Sequence, residues 1–120
     1  MIHRFFYSFY YAYRGIVYVF RHELNFRLQL LTGIVVVLFG WFVGLRRSEW
    51  AVVLWLIFLV LILELLNSAL EKFVDILRPR LSGQVEIVKD MMAGMVLLAS
   101  LAAFCIGSII FYPYVVELFW

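Results

Sequence analysis

The sequence has little charge. Of 120 residues, ten are Lys or Arg and eight are Asp or Glu, 15% of the chain, where a soluble domain carries about a quarter. Hydrophobic residues make up 67%, and the mean hydropathy is +1.03. A chain this short has too little interior to hide so much apolar surface from water. An ordinary soluble domain, a disordered segment and a two-domain enzyme are therefore excluded. A net charge of +2 is too weak to suggest a nucleic-acid partner. Cysteine occurs once, as Cys105 in an apolar run, so no internal disulfide or cysteine-rich zinc site is possible and a packing role is expected. A signal peptide is not expected in residues 1–22. Arg4, Arg14 and Arg21 are spread through them, with no short apolar core before a small-residue cleavage site. The P-loop pattern, the protein-kinase Gly-rich loop and a Ser-His-Asp set are also missing. His3 and His22 lack metal-ligand spacing and read as interfacial residues.

What is present is apolar sequence in long runs. Leu28 to Leu45 carries no charge. At ~1.5 Å per residue it reaches ~27 Å, close to the ~30 Å of a hydrocarbon core. A second run starts near Trp50, is uncharged through Leu63 and continues with polar insertions to Asp75. A third, Met91 to Val116, has no charge. Breaks are expected at Arg46 to Glu49 and from Arg78 to Glu86, where Pro79 and Gly83 oppose helix continuation. In residues 3–22, Phe5, Phe6, Phe9, Ala12, Tyr13, Ile16, Val17 and Phe20 recur at helical spacing. Arg4, Ser8, Tyr11, Arg14, Tyr18 and Arg21 fall opposite. That pattern predicts an amphipathic helix lying on the bilayer surface. The expected architecture is one all-α membrane domain over 1–120. It has a surface helix at 3–22 and membrane helices at 28–45, 50–75 and 88–116.

The basic residues set the orientation. Arg4, Arg14, Arg21, Arg27, Lys72, Arg78, Arg80 and Lys89 share one side, against Arg46 and Arg47 on the other. The N-terminus and second loop are therefore expected in the cytoplasm. Trp41, Trp50, Tyr112, Tyr114 and Trp120 then form an outer aromatic belt. Glu49 and Glu117 read as solvated residues near it.

The informative residues are polar ones inside the second span: Glu64, Asn67, Ser68, Glu71 and Asp75. A charge at the centre of a membrane helix costs about 2.5–3.5 kcal/mol on insertion scales. At ~100° per residue the five fall within a ~100° arc. Lys89-Asp90 opens the third span, and Glu23, Asn25 and Arg27 end the surface helix, all at a similar depth. Three elements thus bring acids and bases to one expected layer. Carboxylate oxygens bind Mg²⁺ jointly with substrate phosphates. Lysine supplies point charge for a phosphoryl group, and a carboxylate withdrawn from water can act as a general base. The stripe would also serve as interhelical glue. For Asn67 and Ser68 that reading stands level with a functional one. The residues alone define a small three-span protein with a metal or phosphate site at the inner interface.

Glu64-Leu-Leu-Asn67-Ser68-Ala-Leu-Glu71, then Asp75 and Lys89-Asp90, resembles the signature of the prokaryotic diacylglycerol kinase family, which includes undecaprenol kinases. Glu23-x-x-Phe26-Arg27 stands at the family's distance after Gly15. The resemblance runs from about Arg4 to Gly107. It implies a homotrimer in the bacterial inner membrane with active sites shared between subunits. It also implies phosphorylation of a lipid alcohol by ATP with Mg²⁺. Glu64 matches the general base, and Glu23 and Glu71 match the metal-binding carboxylates. Arg4, Tyr11, Gly15, Lys89 and Asp90 match nucleotide and phosphate contacts. Asn67, Ser68 and Asp75 match positions that order the substrate. The second loop departs from the pattern: Ser82-Gly83 stands where many relatives carry His and an acid or proline. There Arg78 or Arg80 would replace any loop contact. Met91-Met92-Ala93-Gly94-Met95 and Arg14-Gly15-Ile16 lean towards undecaprenol over diacylglycerol as acceptor.

Two rivals come from other classes. A small proton-coupled transporter would use Glu64 as its proton site, but such proteins usually have four spans and one dominant acid. A non-catalytic assembly subunit would not concentrate so much charge in one span.

Overall fold

The computed structural model describes residues 1–77 and 82–120. They form four helices: α1 (Ile2–His22), α2 (Leu24–Val43), α3 (Arg47–Leu77) and α4 (Ser82–Phe119). No strand occurs among the described residues. Pro79, Arg78 and Arg80 lie outside them. Three helices, α2, α3 and α4, are long and apolar enough to cross a membrane. The 20 residues of α2 give ~30 Å, one hydrocarbon thickness. With 31 and 38 residues, α3 and α4 are longer than that thickness needs.

Helices α3 and α4 overrun the charge-free windows at both ends, and α2 does so at its start, ending at Val43. Charge marks where a segment meets water; it does not stop a helix. Hence α2 begins at Leu24, before Arg27, and α4 begins at Ser82, before Lys89. Gly83 does not interrupt α4, and Pro113 is accommodated inside it. Asn25 and Arg27 belong to α2, leaving Glu23 as the sole residue between α1 and α2.

The turn from α2 to α3 is compact. Gly44 adopts φ 76°, ψ 59°, a left-handed conformation that glycine takes without a Cβ penalty. The amides of Gly44 and Leu45 both donate to the Gly40 carbonyl, at 3.0 and 3.2 Å. Buried Leu45 then folds back over Gly40.

Helix α3 packs against each of the other three helices. Its buried ridge starts with Val53, Leu56 and Val60. Across the bundle, the Phe39 and Phe111 rings stand 5.4 Å apart, and Gln29 Nε2 donates to Ser100 Oγ at 3.5 Å. The outside is apolar: Trp41, Trp55, Phe58, Leu98, Phe104 and Ile109 are exposed. Cys105 is exposed as well, so it does not pack inside this chain. This is the surface of a membrane protein.

Glu49 differs from its expected solvated state. It is half-buried at the start of α3. Its Oε1 accepts the Arg46 amide at 3.0 Å and the Tyr114 hydroxyl of α4. The first contact is half of a capping box. The second ties α3 to α4.

Candidate active site

The buried ridge of α3 changes character after Val60. Its next members are Glu64 and Ser68, followed by Val74. Glu64 is 3% exposed and Ser68 5%. A buried carboxylate without compensation is costly, so this placement needs a reason. Ser68 Oγ is buried with no hydrogen-bond partner, which is uncommon for a buried polar atom. Asn67 and Glu71 are half-buried on the flanks of the ridge. The charged groups whose fields reach Glu64 are Glu23 and Glu71. Glu64 and Glu71 share α3, and Glu23 lines the α1–α3 cavity with Ser68.

Glu23 reaches this group because it is the hinge between α1 and α2. Its backbone is extended, φ −116° and ψ 109°, and its amide closes α1 on the Val19 carbonyl at 2.8 Å. Arg27 Nη1, from the first turn of α2, donates to the carbonyls of Phe20 (3.1 Å) and Arg21 (3.0 Å). A cation there satisfies the last carbonyls of α1 and complements its dipole. Buried Phe26 anchors the same turn. Between α1 and α3 lies a cavity of ≈ 500 Å³, lined by Gly15, Tyr18, Glu23, Ser68 and Lys72 among others.

The remaining predicted residues are distributed differently. Lys89 Nζ pairs with Asp75 Oδ1 at 2.7 Å, joining α4 to α3. Asp90 is exposed. Arg4 and Tyr11 are exposed on α1 and do not line the α1–α3 cavity, whereas Gly15 does. Tyr11 instead stacks on Tyr7, with ring centroids 6.4 Å apart. The stripe is also not one layer. Eleven residues separate Glu64 from Asp75, ~16 Å along the helix axis.

Two residues outside the predicted set stand in the same place. Lys72 Nζ contacts the Tyr18 hydroxyl and lies 4.6 Å from the Tyr18 ring centroid. The available signals were slight: Lys72 follows Glu71, and Tyr18 was one polar residue among several on α1.

The donor chemistry suits a divalent cation only in part. No group of three or more His, Cys, Asp and Glu among the described residues is placed to hold a metal alone. Mg²⁺ usually takes one or two carboxylates together with substrate phosphates. Half-buried Glu23 and Glu71 are the two carboxylates available for that shared mode.

A second cavity, ≈ 530 Å³, opens between α2, α3 and α4. It includes Val60, one turn from Glu64. Its polar members bond within the protein: Thr32 Oγ1 to the Leu28 carbonyl (2.8 Å), Ser108 Oγ to that of Phe104 (2.7 Å), and Gln29 to Ser100. What remains available is apolar.

These features define a small helical membrane protein with a buried carboxylate, Glu64, on the helix that packs against the other three. A model of the family described as prokaryotic diacylglycerol kinase matches residues 10–111. The chain is 36% identical over 112 residues to a Bacillus subtilis protein named undecaprenol kinase, covering 93% of this chain and 91% of the relative. It is 39% identical over 107 residues to a Synechocystis protein named diacylglycerol kinase, covering 88% of this chain and 61% of the relative. It thus spans under two thirds of the cyanobacterial protein's length. No solved structure matches. The chain belongs to the prokaryotic diacylglycerol kinase family, a family of lipid kinases. The resemblance carried by residues 64–71 and 89–90 therefore holds. The transporter reading has no support.

Proposed function

We propose that the protein transfers the γ-phosphoryl group of ATP to undecaprenol, giving undecaprenyl phosphate. The observation that carries this reading is Glu64, a carboxylate 3% exposed inside a membrane-length helix. Glu64 takes the proton of the lipid hydroxyl as the hydroxyl oxygen bonds to the γ-phosphorus. The bond between that phosphorus and the β–γ bridging oxygen breaks, and ADP leaves.

Glu23 and Glu71 would hold Mg²⁺ with the phosphates, where the ion would supply charge neutralisation. Lys89 adds positive charge, held by Asp75. Asn67 and Ser68 orient the acceptor, and the unpartnered Ser68 Oγ supports that role. Arg4, Tyr11, Gly15 and Asp90 approach the nucleotide once it binds. The apolar cavity that begins one turn from Glu64 supports a hydrocarbon substrate entering from the bilayer.

The protein sits in the bacterial inner membrane with its N-terminus and the carboxylates of the site facing the cytoplasm, where ATP is. α1 lies on that surface. Three copies associate and share active sites, and the apolar outer faces of α3 and α4 supply the surface for association.

Undecaprenol is favoured over diacylglycerol because similarity to the undecaprenol kinase spans nearly both chains. The test compares undecaprenol and diacylglycerol as acceptors with purified protein and MgATP in one detergent. Faster transfer to undecaprenol supports the assignment. Faster transfer to diacylglycerol reverses it, and transfer to neither overturns the kinase reading.

A further inference from the structure

We propose that Lys72 and Tyr18 form a latch that docks α1 on α3 and so positions Glu23 beside Glu64 and Glu71. Both are positioning residues, and the inference rests on the kinase reading for its kinetic consequence.

Glu23 is the sole residue between α1 and α2. Where its carboxylate stands relative to α3 therefore depends on the angle of α1. Arg27 fixes the end of α1 to the start of α2. It does not connect α1 to α3. The apolar contact there is incomplete, because the ≈ 500 Å³ cavity separates parts of the two helices.

Lys72 bridges that gap. Its ammonium meets the Tyr18 hydroxyl and lies 4.6 Å from the ring centroid. Tyr18 then stacks on His22, centroids 4.2 Å apart and planes 23° from parallel. His22 Nδ1 lies 2.8 Å from the Tyr18 carbonyl. His22 is bonded directly to Glu23. The contacts thus run without interruption from α3, through Tyr18 and His22, to the hinge acid. Like charge on Glu23 and on the α3 carboxylates would tend to swing an undocked α1 away from α3. Lys72 opposes that by attraction as well as by contact.

The test uses the full-length protein in lipid nanodiscs. Lys72→Met and Tyr18→Leu are measured singly and together, with Lys72→Arg as the conservative variant. Hydrogen exchange followed by mass spectrometry reads α1 directly. The latch predicts faster exchange over residues 15–23 in both single variants, with the α3 and α4 amides unchanged. Kinetics should show kcat down about 10- to 100-fold, as for a catalytic group misplaced by ~1 Å. The lipid KM stays constant and the half-saturating Mg²⁺ concentration rises. Lys72→Arg restores both readouts, and the double variant is no worse than the poorer single. Unchanged exchange over 15–23, or losses that multiply in the double variant, would overturn the latch. If the unaltered protein phosphorylates neither lipid, the kinase reading fails, while the exchange data still judge the latch.

Discussion

Lys89 of α4 meets Asp75 of α3 at 2.7 Å, and this ion pair joins the two longest helices. The side chains are 28% and 55% exposed. Solvent screening at such exposure leaves a pair worth about 0.2–1 kcal/mol. The contact therefore does little to hold the bundle together. Its consequence is to fix an ammonium group at the α1 end. Lys89→Met is expected to slow phosphoryl transfer at least about tenfold through lost charge stabilisation. Asp75→Asn should slow it less. Denaturation in detergent should move by no more than about 1 kcal/mol for either. Initial rates and unfolding measured on the same preparations check this. A stability loss with an unchanged rate per folded molecule would make Lys89 structural.

Glu64→Gln preserves side-chain volume and removes the base. Turnover should fall about 10²–10⁴-fold, the usual contribution of a general base. Nucleotide affinity should persist, since Glu64 is not assigned to ATP. Equilibrium binding of a non-hydrolysable ATP analogue separates the two effects. Near-normal lipid phosphorylation by this variant would sink the base assignment.

The α1 end shows what the sequence made legible. Glu64 and Ser68 were readable because charge and polarity are conspicuous in an apolar helix. Their common face followed from 3.6-residue periodicity. The joints between helices were harder to read. Glu23 appeared to end a surface helix, yet it is the entire connection between two helices, because nothing in its side chain announces a φ of −116°. Lys72 counts only towards the orientation, and Glu49 reads as an ordinary solvated charge. Their partners, Tyr18 and Tyr114, lie 54 and 65 residues away, beyond the reach of periodicity. Helix ends were misplaced for another reason: windows without charge measure the hydrocarbon, while the hydrogen-bonded helix extends into water.

The α2–α3 contact depends on a missing side chain. A Cβ on Gly33 would come within 2.9 Å of Ile57 Cγ2. That atom sits on a β-branched carbon and has little room to turn. Gly33→Val should therefore force the helices apart and cost about 1–3 kcal/mol, typical of overpacking. Unfolding in mixed detergent micelles reads the loss. Gly107→Ala is the control, because a Cβ there meets nothing within 4 Å. Equal destabilisation by the two would show that general helix properties, not the close approach, set the cost.

The opposite end of the bundle offers a separation of stability from catalysis. Glu49 Oε1 accepts from both the Arg46 amide and the Tyr114 hydroxyl, so one carboxylate caps α3 and ties it to α4. Glu64 lies fifteen residues further along α3, ~22 Å away along the axis. Glu49→Ala should lower the thermal unfolding temperature in detergent by a few degrees. The transfer rate per folded molecule should stay the same. Tyr114→Phe removes only the second contact and should produce a smaller shift in the same direction. Combined with Glu49→Ala it should add nothing, since the acceptor is already gone. An additive shift would mean that Tyr114 stabilises the bundle by ring packing alone, and the tie between α3 and α4 would then rest elsewhere.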